Sequence, residues 1–276
     1  MPMVGQRMTK IKQWLKNSRE LLLSLLFPLR CPVCDEILTP EEQKRGIHLV
    51  CESKLYLIEG ATCMHCGRPF GHEKSQSKNH NLNIESVEEY CRECYRKGYV
   101  HTLVKTYKSS TIDQGKALYI YKGAIKGSMY RLKYANKREY AVFFAQKAVE
   151  KYGDWLRRAD VIVPVPMYLP KQKKRGYNQA EVLALELSKY TGIPVDMHCV
   201  LRVKNTAPQK ELSDKDRKNN LENAFQRGES IVKYKHILIV DDIYTTGYTA
   251  QAVARELRKQ GGRCIYLLSI CIGGCD

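Results

Sequence analysis

The stretch ILIVDDIYTTGYT, residues 237–249, decides how this chain is read. Its first four residues are branched and apolar without interruption, the pattern of a parallel strand covered on both faces. They run into an acidic turn, Asp241-Asp242, then into Thr245-Thr246-Gly247, and a helix begins near Tyr248. The first turn of a helix offers unpaired N–H groups and the positive end of the helix dipole. Threonine hydroxyls, and a glycine that lets the backbone approach closely, complete a cradle for a phosphate monoester. The two carboxylates would repel a phosphate aimed at them. Aimed at the hydroxyls of an attached ribose, with magnesium nearby, they make chemical sense.

Working outward, short apolar strands alternate with helices. Residues 117–121, 161–165, 237–240 and 264–270 read as strands, and 139–152, 178–190 and 247–260 as helices. That alternation predicts an α/β fold, a mostly parallel sheet flanked by helices. Val163-Pro164-Val165-Pro166 ends one strand and leads into a basic loop, KQKKRG, then Tyr177-Asn178-Gln179. Ligands of open α/β sheets bind at strand ends of this kind. Arg175, with Lys174 and Gly176, is the candidate pyrophosphate contact, because a guanidinium grips phosphate oxygens in pairs. Residues 204–212, with Arg217 and Asn220 beyond them, form a polar segment suited to be a hood over the site.

The chain has 276 residues, 43% of them hydrophobic, and a formal charge of +17. The charge favours an anionic partner, nucleic acid or polyphosphate, without choosing between them. Residues 8–29 have the spacing of an amphipathic helix, and the apolar run 21–29 is far below the roughly 20 residues needed to span a bilayer. No signal-peptide order precedes it, so a cytoplasmic protein without membrane insertion is expected. Of 11 cysteines, six lie in Cys-x-x-Cys pairs between Cys31 and Cys94, a spacing suited to metal rather than to disulfides. The expected organisation is an N-terminal helix (1–30), a small Cys-rich zinc-ribbon domain (31–104) and the α/β domain (105–276).

Together these strings resemble the ComF family, the phosphoribosyltransferase-like proteins linked to bacterial competence. The matching pieces are the cysteine-rich ribbon, YKGAIKGSMYRLKY (121–134), VPVP with RGYNQ, KNTAPQKELSDKDRKNN (204–220) and VDDIYTTG. The resemblance implies a zinc ribbon joined to a type I phosphoribosyltransferase domain that binds phosphoribosyl pyrophosphate with magnesium. On that pattern Asp241 and Asp242 hold the ribose, and Thr245, Thr246, Gly247 and Thr249 hold its 5-phosphate. It also implies contact with incoming single-stranded DNA beside a competence helicase. A shared fold does not by itself establish transferase activity.

Cys63, Cys66, Cys91 and Cys94 offer four thiolates from two knuckles, the set that tetrahedral structural zinc takes. Cys31, Cys34 and Cys51 look like a second ribbon, but the family pattern expects a cysteine where Lys54 stands. Either His48 completes a three-cysteine, one-histidine site, or that site has been lost, or its ligands are arranged in another way. The stretch 119–140 interleaves tyrosines with cations, and Lys126, Lys133, Tyr134 and Arg138 are its candidate contacts to single-stranded nucleic acid. A packed strand and helix with a solvated basic face would look the same. Three classes remain at this stage: a transferase moving ribose 5-phosphate to a nitrogen nucleophile, a sugar-phosphate and DNA binding protein, and a structural adaptor. No side chain stands out as a general base.

Overall fold

The computed structural model describes residues 28–70, 89–99, 111–205, 224–229 and 234–273. The helix expected over 8–29 lies almost wholly outside the described residues, as do the polar run 71–83 and most of the hood segment, including Arg217 and Asn220. The chain divides between Ser53 and Lys54 into two compact units.

The smaller unit carries two helical turns, α1 (Pro40–Gln43) and α2 (Leu49–Glu52). Thr39 caps α1 in a reciprocal box: its hydroxyl accepts from the Glu42 N–H, and Glu42 Oε2 accepts from the Thr39 N–H at 3.0 Å. Among its described residues the buried apolar side chains are Cys31, Pro32, Leu38, Ile47 and Cys51. That is too little apolar area to hold a fold without a staple.

The larger unit begins with α3 (Arg92–Arg96) and strand β1 (Gln114–Ile120). Helices α4 (Ile125–Tyr134) and α5 (Tyr140–Leu156) lead to β2 (Val161–Pro164). Next come α6 (Leu169–Arg175), α7 (Gln179–Thr191) and the antiparallel pair β3 (Val200–Arg202) and β4 (Phe225–Arg227). The last elements are β5 (His236–Tyr244), α8 (Tyr248–Lys259) and β6 (Cys264–Ile272).

The main sheet is parallel throughout, in the order β1-β6-β5-β2. Ile237, Leu238, Ile239 and Val240 are fully buried, as an unbroken apolar run in a central strand requires. Pro164, which has no N–H to give, closes the edge strand β2. Helix α8 turns Ala250, Val253, Ala254 and Leu257 inward at helical spacing.

Two expectations need correction. The strand read as 237–240 continues to Tyr244, because β6 keeps pairing with it: Asp241 opposes Ser269 and Ile243 opposes Cys271. The acidic pair therefore sits on the end of a strand rather than in a turn. The basic loop is mostly a helix, α6, with Pro170 in its first turn, cations in its last and Gly176 capping it in the left-handed region at φ 89°. Among the described residues no helix is long and apolar enough to cross a membrane.

Candidate functional site

The end of β5 gathers charge that the interior would not otherwise admit. Asp242 is 3% exposed, and Lys133 from α4 reaches it with Nζ 2.5 Å from Oδ2. Gln179, the first residue of α7, donates from Nε2 to Asp242 Oδ1 at 3.2 Å. Burial alone would raise the Asp242 pKa, but the Lys133 charge and these hydrogen bonds outweigh it and hold the carboxyl below its usual range. Asp241 goes the other way. Burial, then the neighbouring Asp242 charge, push its pKa well above the carboxylate range. Burial works against the Lys133 ammonium too, yet the Asp242 charge raises its pKa. The two neighbouring acids are thus pushed in opposite directions, with a resident cation on the depressed member.

The basic segment joins this network through Gln179. Arg175 Nη1 donates to Gln179 Oε1 at 2.7 Å, and its guanidinium lies 5.0 Å from the centre of the Tyr134 ring. Lys174 is exposed, and the Gly176 carbonyl accepts from Arg138 Nη2 at 3.4 Å. A helix end and a glutamine, rather than a loop, thus link Arg175 to Asp242.

Beyond Asp242 comes the threonine turn. Gly247 starts α8 with φ 80°, and a Cβ there would collide with Tyr244 Oη, so the position demands glycine twice over. Thr245 is exposed, Thr249 is half-buried on the first turn of α8, and Thr246 Oγ1 is buried with no hydrogen-bond partner among the described residues. A buried hydroxyl without a partner costs free energy that a ligand oxygen would restore. From outside the turn, Lys97 Nζ donates to Thr246 O at 3.1 Å, and Arg68 Nη2 donates to Gly273 O at 2.9 Å and Thr245 O at 3.5 Å.

The interleaved basic stretch resolves into two faces. Tyr119 and Tyr140 belong to the core, at 2% and 1% exposure, and Lys133 turns inward to Asp242 instead of lying on the outer surface. Both follow from helical and strand periodicity, which the interleaved pattern hides. Tyr130 and Tyr134 remain 63% exposed, their ring centroids 5.1 Å apart. Lys126 is exposed near the Tyr121 ring, and Arg138 lies 4.4 Å from the centre of the Tyr177 ring.

Both cysteine clusters are assembled. In each, the four ligand atoms lie within 4.8 Å of one another. Sulfurs about 2.3 Å from a tetrahedral zinc stand about 3.8 Å apart, and Cys66 Sγ is 3.7 Å from Cys91 Sγ. The residues fit zinc. In the smaller unit His48 Nδ1 is 3.2 Å from Cys34 Sγ and 3.9 Å from Cys51 Sγ, which brackets the separation of about 3.5 Å that tetrahedral zinc gives a sulfur and a nitrogen ligand. His48 Nε2 faces Glu42 Oε2 at 3.6 Å, the carboxylate that orients a metal-binding imidazole. Of the alternatives for Cys31, Cys34, Cys51 and His48, the geometry favours the complete set.

Sequence reasoning missed Gln179 as the link between Arg175 and Asp242, and missed Arg68 and Lys97 altogether. Their only signal is a cation two or three residues beyond a zinc knuckle.

Two family models match this chain: a double zinc ribbon domain over residues 22–95 and a phosphoribosyl transferase domain over 146–275. Competence protein F of Haemophilus influenzae is 44% identical over 108 residues, covering 38% of this chain and 47% of that protein. DNA utilization protein YhgH of Salmonella typhimurium is 33% identical over 148 residues, covering 52% and 65% respectively. The match thus spans about half to two-thirds of those relatives. Competence protein ComFC of Bacillus subtilis is 26% identical over 246 residues, 84% of this chain and 90% of that protein. Structural zinc in the ribbon and a phosphoribosyltransferase fold behind it are thereby accounted for in one polypeptide, and the chain belongs to the ComF family of competence-associated, phosphoribosyltransferase-like proteins.

Proposed function

We propose that the end of β5 and the start of α8 bind phosphoribosyl pyrophosphate with magnesium, and that the protein uses this site while handling single-stranded DNA in competence. The observation that carries the reading is an acidic pair, with Asp242 buried and Asp241 partly exposed, beside a threonine turn whose Thr246 hydroxyl has no hydrogen-bond partner among the described residues. Asp241 and Asp242 take the ribose hydroxyls. Thr245, Thr246, Gly247 and Thr249 take the 5-phosphate, with the first N–H groups of α8. Arg175 and Lys174 take the pyrophosphate.

Magnesium suits this donor set because it takes carboxylate oxygens together with substrate phosphates. When bound, it neutralises charge on the pyrophosphate. Lys133 already supplies one positive charge at Asp242, so this chain's own residues keep the pair compact until the ligand arrives.

The DNA part rests on Tyr130 and Tyr134, whose exposed rings lie side by side, with Arg175 over the Tyr134 ring and Lys126 and Arg138 on the same basic stretch. Aromatic faces stack bases and cations hold the phosphates between them. A second reading is transfer of ribose 5-phosphate to a nitrogen nucleophile. The complete turn and acidic pair favour it, since the barrier would fall mainly through positioning and charge stabilisation.

The test is calorimetric titration with phosphoribosyl pyrophosphate and magnesium, with and without a single-stranded oligonucleotide. Saturable binding whose affinity shifts when DNA is present supports the proposal. Binding that ignores DNA separates the two ligands and moves the account to the transferase reading.

A further inference from the structure

We infer that Arg68 and Lys97, each carried by a knuckle of the second cysteine cluster, are positioning residues that hold the phosphate turn in its binding shape. The inference rests on the reading of that turn as a phosphate cradle.

The two cations sit at equivalent places. Arg68 follows Cys66 by two residues, and Lys97 follows Cys94 by three. Each knuckle is closed by its own backbone bonds: Gly67 N–H to Cys63 O at 2.8 Å, Cys63 N–H to Arg68 O at 2.7 Å, and Tyr95 N–H to Cys91 O at 3.0 Å. The cluster is also docked on the sheet and on α8. Gly115 N–H donates to Met64 O at 2.8 Å, and the Gln251 side-chain amide donates to the buried His65 Nε2 at 2.9 Å. Gly67, at φ 73°, lies so close to β1 that a Cβ would come within 2.7 Å of Lys116 Cα. The cations therefore project from a fixed platform.

What they hold is the turn's own backbone. Arg68 takes the carbonyls of Thr245 and Gly273, Lys97 takes that of Thr246, and the Lys97 ammonium also lies 4.6 Å from the Tyr248 ring centre. Lys97 is itself steadied by Glu93 at 2.8 Å and keeps only 9% of its side chain exposed. A trans peptide sets its C=O and the following N–H on opposite sides. Holding the carbonyls of Thr245 and Thr246 thus turns the N–H groups of Thr246 and Gly247 away from the two cations. Among the described residues no backbone acceptor takes either N–H. The ribbon would then act on the turn twice, by aiming its donors and by placing positive charge beside a loop meant for an anion.

The test uses the full chain with Lys97→Met, Arg68→Gln and the conservative Lys97→Arg and Arg68→Lys, titrated with ribose 5-phosphate and with phosphoribosyl pyrophosphate and magnesium. Zinc content and amide exchange at residues 245–247 are measured without ligand. Each truncation is expected to weaken both ligands about tenfold, equivalent to about 1.4 kcal/mol, and to speed exchange in the turn. Zinc content should stay at the wild-type level, and the conservative variants should recover most of the affinity. Truncated variants that bind like the wild type, with unchanged exchange, overturn the inference and leave the site reading intact. A wild type that binds neither ligand overturns the site reading, and the inference falls with it.

Discussion

The Lys133 ammonium lies 2.5 Å from Asp242 Oδ2, closing an ion pair in which the carboxylate is almost wholly buried and the lysine side chain keeps 21% exposure. A buried carboxylate deprived of its cation is left uncompensated, which costs more than the pair contributes. Lys133→Met is therefore expected to destabilise the fold by about 2–3 kcal/mol, below the range for a fully buried pair because Lys133 retains some solvent. Adding Asp242→Asn should recover part of that loss, the coupling expected of direct partners. Urea unfolding of the two single variants and the double variant measures it. Strictly additive losses would mean that the pair is not formed.

The neighbouring acid gives a pH dependence of opposite sign. The folded-state pKa of Asp241 is raised, by burial and then by the Asp242 charge. From the ordinary carboxylate range upward the folded chain therefore holds a proton that the unfolded chain has released, and stability falls as pH rises through that window. Asp242 is depressed, so its contribution is present above the ordinary carboxylate range and is lost as pH falls through its folded value. Asp241→Asn should stabilise the protein at neutral pH by about 1 kcal/mol, the usual scale when strain at a functional position is relieved. It should also flatten the slope above the ordinary carboxylate range. Unfolding midpoints measured from mildly acidic to neutral pH decide this, and a variant as pH-sensitive as the wild type would contradict it.

Two zinc ions per chain are expected, one for each cluster of four ligand atoms within 4.8 Å. Metal analysis should show one lost in Cys63→Ser and the other in His48→Ala. Glu42→Ala should weaken the first cluster about tenfold, the lower end of what an orienting carboxylate contributes to metal affinity. One zinc in the wild type would mean that Cys31, Cys34, Cys51 and His48 do not hold metal.

Much of this was legible in the sequence, for identifiable reasons. Buried parallel strands show unbroken branched apolar runs, so ILIV at 237–240 and VIVP at 161–164 announce themselves. Cysteine knuckles have fixed spacing, and the threonine turn needs its glycine for both φ and space. Other features are set by partners far along the chain. The strand end at Asp241 and Asp242 exists because β6 supplies Ser269 and Cys271 opposite it. The inward turn of Lys133 depends on Asp242, and nothing in the run of tyrosines and cations around it marks it out. Helix α6 has no apolar stripe to betray it and is made by its ends, Pro170 and Gly176. The hold of Arg68 and Lys97 on the turn is a tertiary contact between segments that local patterns treat separately.

The central claim, that the acidic strand end and the threonine turn bind a phosphorylated ribose, is tested most directly by titrating phosphoribosyl pyrophosphate and magnesium into the wild type and into the Asp241→Asn/Asp242→Asn variant. The account predicts saturable binding at one site per chain in the wild type, and none in the variant, with the two proteins giving the same circular dichroism. Equal affinity in both would show that the ligand sits elsewhere and would contradict the assignment of the site.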